Sequence, residues 1–192
     1  MNNQNNIHIT KSIRLKTWDY TTPWWYFVTI VTKNHKEYFG EIVNGAMRLN
    51  NLGVIVEDEW LRIAELRKNI ELDYSVVMPN HFHGIIISNY HNSITGNSIS
   101  KPNSELSDSS EKSFYSQISP KPNSLSSIKR SFKSAVTKRA KENNFVDFTW
   151  QPRFYDRIIR NERELFNIRN YIEQNPLKWE FEKNYPENVP EL

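Results

Sequence analysis

Between Tyr74 and Ser88 the chain reads YSVVMPNHFHGIIIS, and no other stretch constrains the fold as tightly. An apolar run ends in Met78-Pro79-Asn80, a cluster of turn formers, and a second β-branched run begins at once. Two strands joined so closely pair as an antiparallel hairpin. Successive strand side chains point to opposite faces, so His81 and His83 project from one face while Phe82 points into whatever packs behind. The two imidazoles form a two-armed grip for a metal ion. The competing reading is a surface or hydrogen-bonded histidine pair, since histidine sits comfortably at intermediate burial.

Upstream, Pro23 leads into WWYFVTIVT (Trp24 to Thr32), aromatic and β-branched, which predicts the first strand. Asn50 to Asn69 has helical periodicity. Val56, Trp60, Ile63 and Leu66 or Arg67 fall on one side, with Glu57, Asp58, Glu59, Glu65 and Lys68 on the other. Leu72 to Met78 and His81 to Ser88 supply the next two strands. Residues 1–12 read as a disordered lead. His35, among Lys33, Asn34 and Lys36, reads as an exposed loop residue.

Beyond Ser88 the character changes. Residues from about 89 to 125 are rich in Ser, Asn, Lys and Pro with isolated apolar residues, which predicts a flexible insertion that cannot build a core. A lid or DNA-contacting loop is its functional alternative, and His91 inside it takes no role. From Ser126 to Asn143, Ile128, Phe132, Ala135 and Val136 share a helical face. Lys129, Arg130, Lys133, Lys138, Arg139 and Lys141 occupy the rest, offset in sequence only by Glu142. So one-sided a charge predicts phosphate-backbone contact through Lys129, Arg130, Lys133, Lys138 and Arg139, against the plainer reading of a solvated face. Net charge is only +3, so distribution rather than total carries that expectation.

After Trp150-Gln151-Pro152, RFYDRIIR (Arg153 to Arg160) predicts a short last strand. Asn161 and Glu164 form a capping box, and a helix from about Glu162 to Gln174 should stop near Pro176 with Leu165, Ile168 and Ile172 facing the sheet.

The 192 residues and 38% hydrophobic content suit one domain spanning 1–192. With no cysteine, disulfides and thiolate zinc sites are excluded. No segment reads as a signal peptide or membrane span, so the expectation is a cytoplasmic protein with no membrane partner, nucleoid-associated when bound to DNA. Five glycines and no glycine-rich loop give no nucleotide-phosphate cradle. Some of the six tryptophans suit base stacking, although structural roles are the plainer reading for each.

VVMPNHFHGIIIS closely resembles the His-hydrophobe-His motif of the HUH single-tyrosine transposases, in particular the REP-associated tyrosine transposases. RLKTWDY and KNHKEYFG resemble the family's opening segment, LSSIKRSFKSAVTK its second helix, and WQPRFYDRIIRNERELFNIRNYIEQNP its closing half. The element order resembles an α+β, ferredoxin-like (RRM-like) fold: a four-stranded antiparallel sheet with helices on one face, plus a C-terminal helix carrying the nucleophile. The resemblance implies a DNA nicking and joining enzyme that acts on single-stranded, hairpin-containing repeat DNA. Tyr171 stands where the family's nucleophile stands, forming a covalent 5′-phosphotyrosine, and Mg²⁺ or Mn²⁺ sits on the histidines. The residues alone leave Tyr171 open as a core-edge residue and offer no clear base beside it. Asn175, four residues on, shares a helix face with Tyr171 if the helix persists, and related transposases place Gln, Glu or Asn there as third ligand. Its position before Pro176 suits a helix terminus equally. Non-catalytic single-stranded nucleic-acid binding on an RRM-like sheet, or hydrolysis by metal-bound water, are the alternatives. A monomer or a homodimer fits either.

Overall fold

The computed structural model describes residues 18–20, 22–89, 124–152 and 154–184. The elements are β1 (Trp25–Val31), β2 (Gly40–Val43), β3 (Ala46–Leu49), α1 (Asn51–Leu66), β4 (Ile70–Val77), β5 (His81–Ser88), α2 (Leu125–Glu142), β6 (Tyr155–Ile158) and α3 (Glu162–Asn184). The main sheet has order β4-β5-β1-β6, with every neighbouring pair antiparallel. This is the α+β, ferredoxin-like arrangement expected from the sequence. The lead and nearly all of the 89–125 insertion, His91 included, lie outside the described residues.

One element was not expected. β2 and β3 pair as a separate hairpin around Asn44 and Gly45, both at positive φ (55° and 71°). Asn-Gly with both φ values positive is the turn that matches strand twist in a two-residue hairpin.

Alternation along the strands divides the core. Tyr26, Val28, Ile30, Phe82 and Ile86 face α1 and α2, where Leu52, Val56, Trp60, Ile63, Ile128, Phe132 and Val136 complete the larger cluster. Phe82 sits 4.5 Å from the Trp60 ring and 5.5 Å from Phe132. Gly84 makes room for this, since a Cβ there would lie 2.4 Å from Trp60 Cζ2. On the other face Phe27 and Ile85 meet Leu165, Ile168 and Ile172 of α3, as the helical pattern predicted. Phe82 therefore anchors the strand on one side, and the histidines emerge on the side that α3 crosses.

The basic helix departs from expectation. The Lys129 side chain is wholly buried, with Nζ 2.6 Å from Asp156 Oδ2 on β6 and 3.4 Å from the centre of the Phe154 ring. A lysine buried on the sheet side of α2 cannot reach a phosphate. Arg139 bonds Glu59 at 3.0 Å and Asp58 at 3.1 Å on α1. This also explains why Glu59, expected on the solvent side, is only 5% exposed. Lys133 donates to the Gln151 carbonyl at 2.6 Å. The counter-charges missing from the helix's own sequence come from α1 and β6, so the argument that repulsion requires an external anion fails for Lys129 and Arg139. Arg130 is exposed, and Lys138 pairs loosely with Glu142 at 3.9 Å.

α3 also corrects an expectation: it runs through Pro176 to Asn184. Its start is as read, with Asn161 Oδ1 accepting from Glu164 N at 2.9 Å and Glu164 Oε2 accepting from Arg160 N at 2.8 Å. β6 begins at Tyr155 rather than Arg153, and Arg153 lies outside the described residues. Leu66, expected to face the core as an alternative to Arg67, is 66% exposed.

Candidate active site

Strand pairing sets the histidines. Met78 N donates to His81 O at 2.8 Å, closing the tight turn, so β5 begins at His81 and its ring stands at the end of the sheet. His83 lies directly across from Thr29 on β1, and its Nδ1 is 2.8 Å from Thr29 Oγ1. His81 Nδ1 is 2.7 Å from Asn80 Oδ1. Asn80 Nδ2 donates to the His35 carbonyl at 3.0 Å, which identifies Oδ1 as the acceptor and makes His81 Nδ1 the protonated nitrogen. Its Nε2 then carries the lone pair. His83 Nδ1 is likewise occupied, by the Thr29 hydroxyl, which turns Nε2 toward α3. The rings are 4.6 Å apart, and Phe27 stacks on His83 at 5.3 Å.

Burial keeps both rings neutral. His81 is lowered from 6.5 to about 4, by desolvation first, partly offset by a side-chain hydrogen bond with Asn175 and reinforced by the nearby His35. His83 is lowered to about 3 by desolvation and by the neighbouring His81. Uncharged imidazoles with an oriented second nitrogen are the state in which histidine binds a metal.

Tyr171, Asn175 and Trp179 recur every four residues on α3, one stripe of the helix surface. Tyr171 Oη lies 3.4 Å from His83 Nε2, a long contact on a side chain still 43% exposed. Asn175 is 7% exposed and bonds His81, while the Trp179 ring is 5.6 Å from the His81 ring. Arg169 clamps the helix to β4, with Nε and NH2 at 2.9 and 2.6 Å from Asp73 Oδ2. The register shift in the β4–β5 ladder falls between Leu72 and Ser75, beside that aspartate.

The structure thus brings His81, His83, Tyr171 and Asn175 together. Because α3 continues past Asn175, the helix-terminus reading of that residue is removed. Among the described residues no group of three His, Cys, Asp or Glu side chains could hold a metal, and the donors this cluster could offer one are two imidazoles and an amide. The amide oxygen suits Mg²⁺ or Mn²⁺, while the two imidazoles suit divalent ions of the first transition row.

Lys129, Arg130, Lys133, Lys138 and Arg139 are not part of this cluster, since α2 packs on the opposite face of the sheet. Thr29, Asn80 and Trp179 escaped the sequence reading. Asn80 had a local signal, adjacency to His81, and was taken only as a turn former. Thr29 is fixed by pairing across 54 residues, which no local pattern reveals.

No protein-family model matches the chain. A Haemophilus influenzae protein described only as uncharacterized is 37% identical over 181 residues, covering 93% of this chain and 94% of that protein. Among solved structures, a REP-associated tyrosine transposase bound to a REP hairpin is 18% identical with TM-score 0.54. That match covers 88% of this chain and 74% of the other. The likeness read from the motifs therefore extends to the fold.

Proposed function

We infer that this chain, which belongs to one family with the Haemophilus influenzae protein and shares the fold of a REP-associated tyrosine transposase, is a DNA nicking and joining enzyme. Its substrate is single-stranded DNA bearing a hairpin, and its nucleophile is Tyr171. One observation carries this reading: the Tyr171 hydroxyl, on a helix, meets the Nε2 side of a histidine pair whose Nδ1 atoms are tied down elsewhere.

His81, His83 and Asn175 would hold a divalent ion, Mg²⁺ or Mn²⁺, which when bound supplies Lewis-acid polarisation of the scissile phosphate. Asn80 and Thr29 orient the rings, and Arg169 with Asp73 fixes the helix angle. Tyr171 Oη attacks phosphorus, forming one P–O bond as the bond to the 3′ oxygen breaks, and the phenolic proton passes in net to that oxygen. A 5′-phosphotyrosine and a free 3′-OH result. One phosphoester replaces another, so the reverse attack rejoins the strand without ATP. His83, lowered to about 3, is a weak base, which fits a ligand rather than a general base.

The RRM-like alternative has less support. The sheet face on which bases would stack carries α3, whose Leu165, Ile168 and Ile172 cover Phe27 and Ile85. The test uses a 3′-labelled hairpin oligonucleotide with Mn²⁺ and denaturing gels. Wild type should yield a labelled protein adduct and Tyr171→Phe none, with DNA binding retained. Undiminished adduct in Tyr171→Phe would eliminate the mechanism.

A further inference from the structure

Away from the histidines, a groove of ≈ 600 Å³ is lined by Lys133, Ser134, Thr137, Lys138, Lys141, Thr149 and Trp150. Three of these side chains are ammonium groups, three are hydroxyls, and none of the lining is acidic. Trp150 is only 8% exposed, yet its indole N–H has no acceptor among the described residues. The Trp150 ring itself packs on Phe39, Phe132 and Phe148 in the core, so the polar character of the groove comes from its three lysines and three hydroxyls.

The location gives the groove its use. Its Thr149–Trp150 wall lies along the end of β1, with Gln151 N donating to Val31 O at 2.8 Å and Lys33 N to Thr149 O at 2.9 Å. Thr32 bridges Trp150, and Val31 pairs with His81. Two strand spacings, about 10 Å, therefore separate this wall from the His81 strand. Groove and histidines flank one end of the sheet.

We propose that this groove binds the phosphodiester backbone of the DNA strand that leads to the histidine–tyrosine site, with Lys133, Lys138 and Lys141 neutralising successive phosphates. This rests on the nicking reading for the identity of the strand, whereas the anion chemistry belongs to the groove itself. It moves the electrostatic footprint from Lys129 and Arg139, held by carboxylates, to the side of α2 that the groove opens.

The test is fluorescence anisotropy of a labelled single-stranded oligodeoxynucleotide across a salt series, with chelator present so that nothing is cleaved. Lys138→Gln with Lys141→Gln changes two exposed residues and should lower the slope of log K against log salt by about 1.4, at roughly 0.7 for each lost phosphate. Affinity near 0.1 M salt should fall by about tenfold or more. Adding Lys133→Gln should deepen both effects. A charge-matched control, Arg62→Gln with Lys68→Gln near the far end of the sheet, should leave the slope unchanged. Wild-type slopes in both groove variants, or an equal loss in the control, would overturn the proposal. Adduct formation is read separately. A lowered slope without any adduct retains the groove and removes the nicking reading, and an adduct with unchanged slopes does the reverse.

Discussion

The buried histidines make the metal-free protein sensitive to mild acid, and the size of the effect follows from their environment. His81 and His83 are lowered from an ordinary 6.5 to about 4 and about 3. Unfolding returns both rings to water, where they take up protons below pH 6.5, so between there and the folded values the unfolded state binds more protons. Stability is complete above pH 6.5 and is lost as pH falls toward about 4 and then about 3. At about pH 5.5 each ring contributes about 1.4 kcal/mol of that loss, about 3 kcal/mol for the pair. This is a large share of a typical domain stability of about 5–15 kcal/mol. Urea denaturation in chelator at about pH 7.5 and about pH 5.5 measures it, with His81→Gln/His83→Gln as reference, because that variant lacks the titrating groups. The difference between the two proteins in their pH dependence should be about 3 kcal/mol. Equal pH dependence would refute the reasoning. The same neutrality means protons do not compete for the ligands: Mn²⁺ affinity should be nearly flat over this interval. Two ordinary histidines would lose about a hundredfold.

Asn175→Ala should weaken Mn²⁺ affinity in calorimetry while Asn175→Asp retains metal-dependent nicking; unchanged affinity in the alanine variant would remove Asn175 from the donor set. The buried Lys129–Asp156 pair should be costly to halve: Asp156→Asn is expected to destabilise by about 3–5 kcal/mol in chemical denaturation. Lys129→Met with Asp156→Leu should restore most of that loss, and a mild effect of Asp156→Asn alone would contradict the burial argument.

The parts legible in the sequence were those written in a local period. Alternation around His81-Phe82-His83 assigned the faces, and the heptad-like spacing of Leu165, Ile168 and Ile172 assigned the sheet side of α3. Charge misled where burial decided. Leu125, Ile128, Lys129, Phe132, Val136 and Ala140 form the buried stripe of α2, and Lys129 stands in it at helical spacing. Its being cationic drew it toward solvent in the reading, since the partner that makes burial tolerable lies 27 residues on, at Asp156. The β2–β3 hairpin had a local signal in Asn44-Gly45, but its strands are only four residues each and carry no fully buried side chain. Their apolar pattern is too short to register as a period.

That overlooked hairpin bears on the site through Pro176. A proline inside a helix removes one hydrogen bond and crowds the preceding turn, at a cost of about 3 kcal/mol, which is why the sequence predicts an end there. The helix continues because its last turns have something to pack on. Leu177 lies against the Asn44-Gly45 turn, so closely that a Cβ on Gly45 would be 3.1 Å from Leu177 Cδ1. Lys183 reaches Glu37 at 3.9 Å, and Trp179 lies over His81. The hairpin's turn thus contacts the helix two residues beyond Asn175, and the continued helix sets the stripe of Tyr171, Asn175 and Trp179 over the histidines. Tertiary contact overrides the local preference of the residue before proline, and it does so at the residue whose side chain the site needs in a helical position.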